Sequence, residues 1–209
     1  LKDKKVDKTS WVETCKKVKE PLVDFDNHSK EREPNKFIDL ISNYATDDTV
    51  VCCDVGQHQV WMGQSFKITD NQRLLFSGGH GAMGFALPAA IGAYYLNKKP
   101  TVAVCGDGSF QMNLTELGTI MQNNVDIKII VMRNNRLGMV RELQSNHYGS
   151  RYSATILGDP DFTKIAEAYG IKTAEVNSNE EAEKVAEEMF KLKEPFILIC
   201  NVHPDTPSI

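Results

Sequence analysis

Short β-prone runs, three of them ("TVAVC", "IKIIVM" and "FILIC") essentially apolar, alternate along the chain with longer stretches whose apolar residues recur every three or four positions. The first kind comprises "TVVCC" (49–53), "RLLFS" (73–77), "TVAVC" (101–105), "IKIIVM" (127–132), "KTAEV" (172–176) and "FILICNV" (196–202). The second kind includes "KFIDLISNYA", with Phe37, Ile38, Ile41 and Ala45 at helical spacing, and "NEEAEKVAEEMFKLK", with Ala182, Val185, Ala186 and Met189 along one face. "HQVWMGQSF", "FALPAAIGAYYLN", the stretch from Leu114 to Gln122 and "DFTKIAEAYG" also read as helices. Pro88 falls near the first turn of its helix, where proline is tolerated. Strands alternating with helices imply crossover connections and a mostly parallel sheet covered on both faces. Strands without polar alternation fit such double coverage. The pattern predicts a single three-layer α/β domain over 35–209, with about six strands. Residues 1–34 are polar and mixed in charge, with Pro21 and Pro34 as breakers, and read as a lead-in or linker.

Composition narrows the function classes. Apolar residues make up 41% of the 209 and charged residues 25%, as expected of a chain with a packed core. Lys and Arg total 24 against 28 Asp and Glu, a net charge of −4, which argues against nucleic acid or an anionic membrane as partner. No apolar run approaches the ~20 residues of a membrane helix. The charged start "LKDKKVDKTS" has no apolar segment behind it, and the first residue is Leu, so the chain reads as a fragment of a longer protein or a processed product. Of five cysteines, Cys52, Cys53, Cys105 and Cys200 sit in apolar runs, and Cys15 does not. There is no C-x-x-C pair, so reduced buried thiols in a cytoplasmic protein are expected. His28 and His203, in polar segments, read as surface residues.

Four unusual segments fall after predicted strands: "DVGQHQ" (54–59), "SGGHGAMG" (77–84), "GDGS" (106–109) and "RNNRLGMV" (133–140). Ligands of parallel sheets bind at the carboxyl ends of strands. A lone Gly-Asp-Gly is as readily a tight turn. Glycines, however, let backbone N–H groups approach a phosphate, and a following helix N-terminus favours negative charge. A carboxylate in that place repels phosphate unless a cation stands between them. Carboxylate and amide oxygens suit Mg²⁺, which bridges carboxylates to phosphates. The signatures G-x-G-x-x-G and G-x-x-x-x-G-K-[ST] are missing. The segments therefore suggest Mg²⁺ bound to a diphosphate.

Gly-Asp-Gly followed some 25 residues later by Asn-Asn resembles the thiamine-diphosphate motif of 2-keto-acid enzymes. The wider set "DVGQHQVW", "SGGHGAMGFALPAAIGA", "GDGSFQMNLTEL" and "LGMVRELQ" is similar to the C-terminal domain of acetolactate synthase large subunits. The likeness is good from about Pro34 to Val176. It implies a thiamine-diphosphate-binding fold and a reaction in which pyruvate loses CO₂ and joins a second 2-keto acid, such as 2-ketobutyrate, in branched-chain amino-acid biosynthesis. Gln57 and His58 would contact the diphosphate; alone, His58 would read as a structural histidine. Asp107 would bind Mg²⁺, with Gly106, Gly108 and Ser109 beside the phosphates. Gly81 would give its carbonyl to the aminopyrimidine, and Met83, alone a core filler, would hold the cofactor bent. These two are the implied catalytic positions. Gly138, Met139 and Val140 would complete the cofactor surface.

Two departures from the family matter. Only Arg136 separates Asn135 from "LGMV", where the family has two residues. Aligned on "LGMV", Arg133 takes the first Asn position and Asn134 becomes the metal ligand, with the Arg136 carbonyl as the third. Leu143 stands where many relatives have a Trp that favours 2-ketobutyrate and helps form a herbicide site. His80, where leucine is common, is a further residue that could face the site.

The family's pyrimidine-binding domain, whose activating glutamate comes from a second catalytic subunit, and its FAD-binding middle domain do not fit in 209 residues. The fragment alone is therefore expected to be inactive, with a regulatory subunit as another possible partner of its parent. Two other readings stay open: the same domain of another thiamine-diphosphate decarboxylase or carboligase, and a non-catalytic module that keeps the fold.

Overall fold

The computed structural model describes residues 8–23 and 33–208, without the side chains of 19–23 and 97. Six strands form one sheet: β1 (Val50–Cys53), β2 (Arg73–Phe76), β3 (Thr101–Gly106), β4 (Ile127–Arg133), β5 (Lys172–Val176) and β6 (Phe196–Asn201). Their order is β2-β1-β3-β4-β6-β5, and every pairing is parallel. The α/β class and the strand count agree with the sequence reading.

The helices are α1 (Thr9–Val23), α2 (Pro34–Tyr44), α3 (Gln57–Ser65), α4 (Ala86–Asn97), α5 (Asp107–Met112), α6 (Glu116–Asn123), α7 (Gly138–Tyr148), α8 (Phe162–Ala168) and α9 (Asn179–Lys191). Pro34 opens α2, where its missing N–H costs nothing. Asp161 and Ser178 cap α8 and α9 by accepting from the backbone N–H groups of Lys164 and Glu181.

Side chains alternate across the strands into two cores. Val51, Cys53, Val104, Ile130 and Leu198 meet Phe37 and Ile41 of α2, Trp61 of α3 and Ala186 of α9. Cys52, Ala103, Cys105, Ile129 and Ile199 meet Ala90 of α4, Phe110 of α5, Leu117 of α6 and Phe162 of α8. Removing each such Ile or Val from water contributes about 1.5–3 kcal/mol, which explains why the central strands need no polar face.

Three differences from the sequence reading stand out. Thr9–Val23, inside the stretch read as a lead-in, is helical, and all its described side chains are exposed. The Gly-Asp-Gly is not a free turn: Gly106 ends β3 and Asp107 opens α5 with no linker. Gly138–Tyr148, which begins within "LGMV", is a helix that the sequence reading did not include. Cys52, Cys53, Cys105 and Cys200 are buried free thiols and Cys15 is an exposed one. His203 is exposed, whereas His28 lies outside the described residues. No described helix is long and apolar enough to cross a membrane.

Candidate functional site

The chain leaves β1 for α3, in one core, and leaves β3 for α5, in the other. Adjacent strands whose connections depart to opposite faces open a crevice at their carboxyl ends. A cleft of about 250 Å³ lies there. β1 and its turn into α3 contribute Gln57 and His58. The loop before α4 supplies Gly81 and Met83, and the end of β3 and α5 supply Gly106, Gly108 and Ser109. The segment after β4 adds Asn134, Arg136, Gly138, Met139, Val140 and Leu143.

Of the cofactor, metal and substrate positions that the resemblance implied, Asp107 alone is not on the cleft wall. It lies beneath, 3% exposed, with its carboxylate turned toward the end of β4. Its Oδ1 accepts from the Gly108 N–H at 2.9 Å, and its Oδ2 accepts from the N–H groups of Asn135 at 2.6 Å and Asn134 at 3.3 Å. Burial pushes its carboxyl up from 3.8 to about 6, against the pull of those donors.

Asn134 turns its side chain into the cleft, where Nδ2 donates to Gln57 Oε1 at 3.2 Å and Oδ1 accepts from the Arg136 N–H at 3.0 Å. The Asn135 side chain instead meets Arg133 Nε at 3.3 Å, on the far side of the turn. His80 is exposed and does not line the cleft.

Gln57 is tied in place, since its Nε2 donates to Glu142 Oε2 at 2.9 Å and to the Thr206 carbonyl at 3.1 Å. The His58 ring is buried between two glycines. A Cβ on Gly56 would stand 2.7 Å from its Cε1, and one on Gly106 would stand 3.1 Å from its Nδ1. Burial holds the imidazole well below its usual range, with the Asp54 carboxylate offsetting part of that effect. Its Nε2 is buried without a hydrogen-bond partner. A Cβ on Gly138 would lie 1.9 Å from Gln57 Oε1, so any side chain there would displace the Gln57 amide. The Met83 methyl lies 3.4 Å from a Cβ built on Gly108, which places it over that glycine.

Sequence reasoning gave no individual role to five wall residues, Val55, Gly56, Trp61, Met132 and Leu137, although Val55, Gly56 and Leu137 lie in segments it had marked. Trp61 and Met132 are buried core residues whose edges also reach the cleft, and periodicity cannot separate those two roles. It also missed Asp54, 1% exposed, whose carboxylate accepts from the N–H groups of Gly84 at 2.9 Å and Ala86 at 2.7 Å. That carboxylate fastens the glycine loop and the start of α4 to β1.

These donors suit a phosphorylated ligand held through a hard cation. Among the described residues no three His, Cys, Asp or Glu side chains converge. A cation here would thus rest on one carboxylate with amide and carbonyl oxygens, as Mg²⁺ does when phosphates complete its shell. The orphaned His58 Nε2 and the glycine walls leave polar contact and room for the ligand itself.

Residues 54–200 match the family described as thiamine pyrophosphate enzyme, C-terminal TPP binding domain. The chain is 37% identical to the probable acetolactate synthase large subunit of Methanocaldococcus jannaschii, over 95% of this chain and 35% of that protein. It is 43% identical to the acetolactate synthase large subunit of Porphyra purpurea, over 78% of this chain and 28% of that protein. It is 40% identical to the acetolactate synthase isozyme 2 large subunit of Escherichia coli, over 78% and 30% respectively. The chain thus spans only 28–35% of the length of these relatives. Because the family match starts at Asp54, ends in β6 and encloses the whole cleft, the chain belongs to the thiamine pyrophosphate enzyme family as a C-terminal, TPP-binding domain.

Proposed function

We propose that this domain serves a thiamine-diphosphate-dependent acetolactate synthase, which joins pyruvate to pyruvate or 2-ketobutyrate with loss of CO₂. The observation that carries the reading is the junction of Asp107 and Asn134 at the ends of β3 and β4, beside a glycine-walled cleft. The similarity to three proteins named as acetolactate synthase large subunits supports the choice among thiamine-diphosphate enzymes.

In this reading Asp107, Asn134 and the Arg136 carbonyl hold Mg²⁺. Gln57, His58, Gly106, Gly108 and Ser109 surround the diphosphate. The neutral His58 imidazole offers its free Nε2 without adding charge. When bound, thiamine diphosphate supplies the electron sink that allows a 2-keto acid to lose CO₂. Gly81 and Met83 set the orientation of the cofactor, Gly138, Met139 and Val140 line one wall beside it, and Leu143 meets the acceptor at the mouth.

FAD, a pyrimidine-binding domain from a second catalytic subunit and a regulatory subunit are partners of the longer parent in the same reading. The four buried thiols support a reducing compartment such as the cytoplasm. The test has two parts: titration of thiamine diphosphate with and without Mg²⁺, and assay of acetolactate formation by the full-length protein. Mg²⁺-independent binding removes the site assignment. Decarboxylation of pyruvate without acetolactate moves the protein to another branch of the family.

A further inference from the structure

Arg133 closes β4 on the side of the turn away from the cleft. Its Nε donates to Asn135 Oδ1 at 3.3 Å and to Asp159 Oδ1 at 3.0 Å, Nη1 donates to Glu175 Oε1 at 2.9 Å, and Nη2 also reaches Asp159. Glu175 accepts in addition from Asn201 Nδ2 at 2.7 Å, which donates to Asn177 Oδ1 at 3.0 Å as well. One guanidinium thus joins the turn after β4 to the segment before α8 and to the ends of β5 and β6. Its side chain is 15% exposed, whereas those of Asp159 and Glu175 are 51% and 37% exposed. Ion pairs to such exposed carboxylates contribute little to stability. What the rigid fork of an arginine offers is fixed geometry.

That geometry bears on Asn135, which is left-handed at φ 56°. Non-glycine residues enter that region at a cost, asparagine least of all. In this conformation the Asn135 N–H joins that of Asn134 on Asp107 Oδ2, while the Asn135 carbonyl accepts from the Leu157 N–H at 3.1 Å. Asn134 Oδ1 is turned by the Arg136 N–H two residues on. The three residues of the turn therefore depend on one strained backbone angle, and the Asn135 side chain is held by Arg133.

We propose that Arg133 is a positioning residue for the cation. By holding Asn135 against Asp159 and Glu175 it fixes the turn 134–136 on Asp107 and so sets Mg²⁺ affinity. The cation clause rests on the function proposed above. In the full-length protein, Arg133→Gln should weaken Mg²⁺ affinity at saturating thiamine diphosphate by about tenfold or more, the usual effect of losing a group that orients metal ligands. Without cofactor or metal, the same variant should speed hydrogen exchange at the Asn134 and Asn135 amides while the remaining amides and the melting temperature stay near wild type. A merely structural role moves the melting temperature and leaves that selectivity out. Arg133→Lys, which keeps charge without the fork, should restore only part of the affinity. Should Arg133→Gln fail to fold, Asp159→Asn, at an exposed partner, gives the same two readouts with a loss of about threefold.

Unchanged exchange at both amides, or Mg²⁺ affinity within about twofold of wild type, overturns the proposal. The exchange measurement needs no ligand. It therefore decides on the clamp separately from a failure of the cofactor reading, which Mg²⁺-independent binding by the wild-type protein would reveal.

Discussion

Asp107 is held in its ionised form by three backbone donors and opposed in that form by burial, and burial prevails in the metal-free chain. Between pH 3.8 and about 6 the folded chain keeps a proton that the unfolded chain has lost, so this residue's contribution to stability falls as pH rises through that window. A bound cation requires the carboxylate. Mg²⁺-dependent cofactor affinity should therefore be flat above pH 7 and fall by about tenfold per unit below 6, as one proton competes with the metal. Calorimetric titration across pH 5–8 checks this, and a pH-independent affinity removes Asp107 from the metal shell. Asn134→Ala should lose most of the Mg²⁺ dependence, whereas Asn135→Gly, which retains the left-handed turn, should lose much less; the reverse order would shift the register by one residue. Leu143, 51% exposed on α7 at the cleft wall, bears on the acceptor. In the full-length protein Leu143→Trp should raise the ratio of 2-ketobutyrate to pyruvate products, within the roughly 1–3 kcal/mol that one methylene provides in an apolar pocket. An unchanged ratio separates Leu143 from acceptor choice.

At the scale of elements, the cleft depends on how loops are fastened to strand ends. Asp54 accepts the N–H groups of Gly84 and Ala86, so Asp54→Ala leaves both without that partner and frees the glycine loop from β1. The cost should be on the order of 3 kcal/mol in urea unfolding, with Asp54→Asn milder. A change below about 0.5 kcal/mol would mean that the loop is held elsewhere. The sequence declared the central strands and the core-facing helices well because each buries a continuous apolar run or stripe. The edge strands β2 and β5 are largely exposed and show only as short β-prone runs. Short or cleft-facing helices escaped for physical reasons. α5 has six residues, too few for a helical period to show, and it starts on the last residue of a strand. α7 has no buried residue, because its inner face lines the cleft instead of the core, so it carries no core stripe. α1 did carry a signal in Trp11, Cys15 and Val18, at helical spacing among lysines, yet all three are exposed and no core reveals the stripe. The site residues themselves were legible because four glycine-rich or amide-rich segments each follow a strand. Asp54 was not, since a capping carboxylate and a ligand carboxylate look alike until the loop 77–85 is folded back upon it.

For the molecule as a whole, the decisive feature is what the cleft wall contains. Its described titratable side chains are His58 and Arg136, with Asp107 beneath, so among the described residues no carboxylate faces the cleft. On the function proposed above, the residues for Mg²⁺ and the diphosphate are therefore present without a carboxylate for proton transfer at the remainder of the cofactor. Such groups typically contribute 10²–10⁴-fold. Val140 and Leu143, 42% and 51% exposed, also leave one wall of the cleft open and apolar, which favours association with a covering partner. A polypeptide of these 209 residues should accordingly fold, bind thiamine diphosphate weakly and only with Mg²⁺, and form no acetolactate from pyruvate at saturating cofactor, FAD and Mg²⁺. On the function proposed above, adding a separately produced pyrimidine-binding domain should tighten cofactor binding, because that domain would bring a carboxylate and cover the open wall together. Turnover by the chain alone within about tenfold of the full-length protein would be incompatible with this division, since loss of a proton-transfer group alone should cost more.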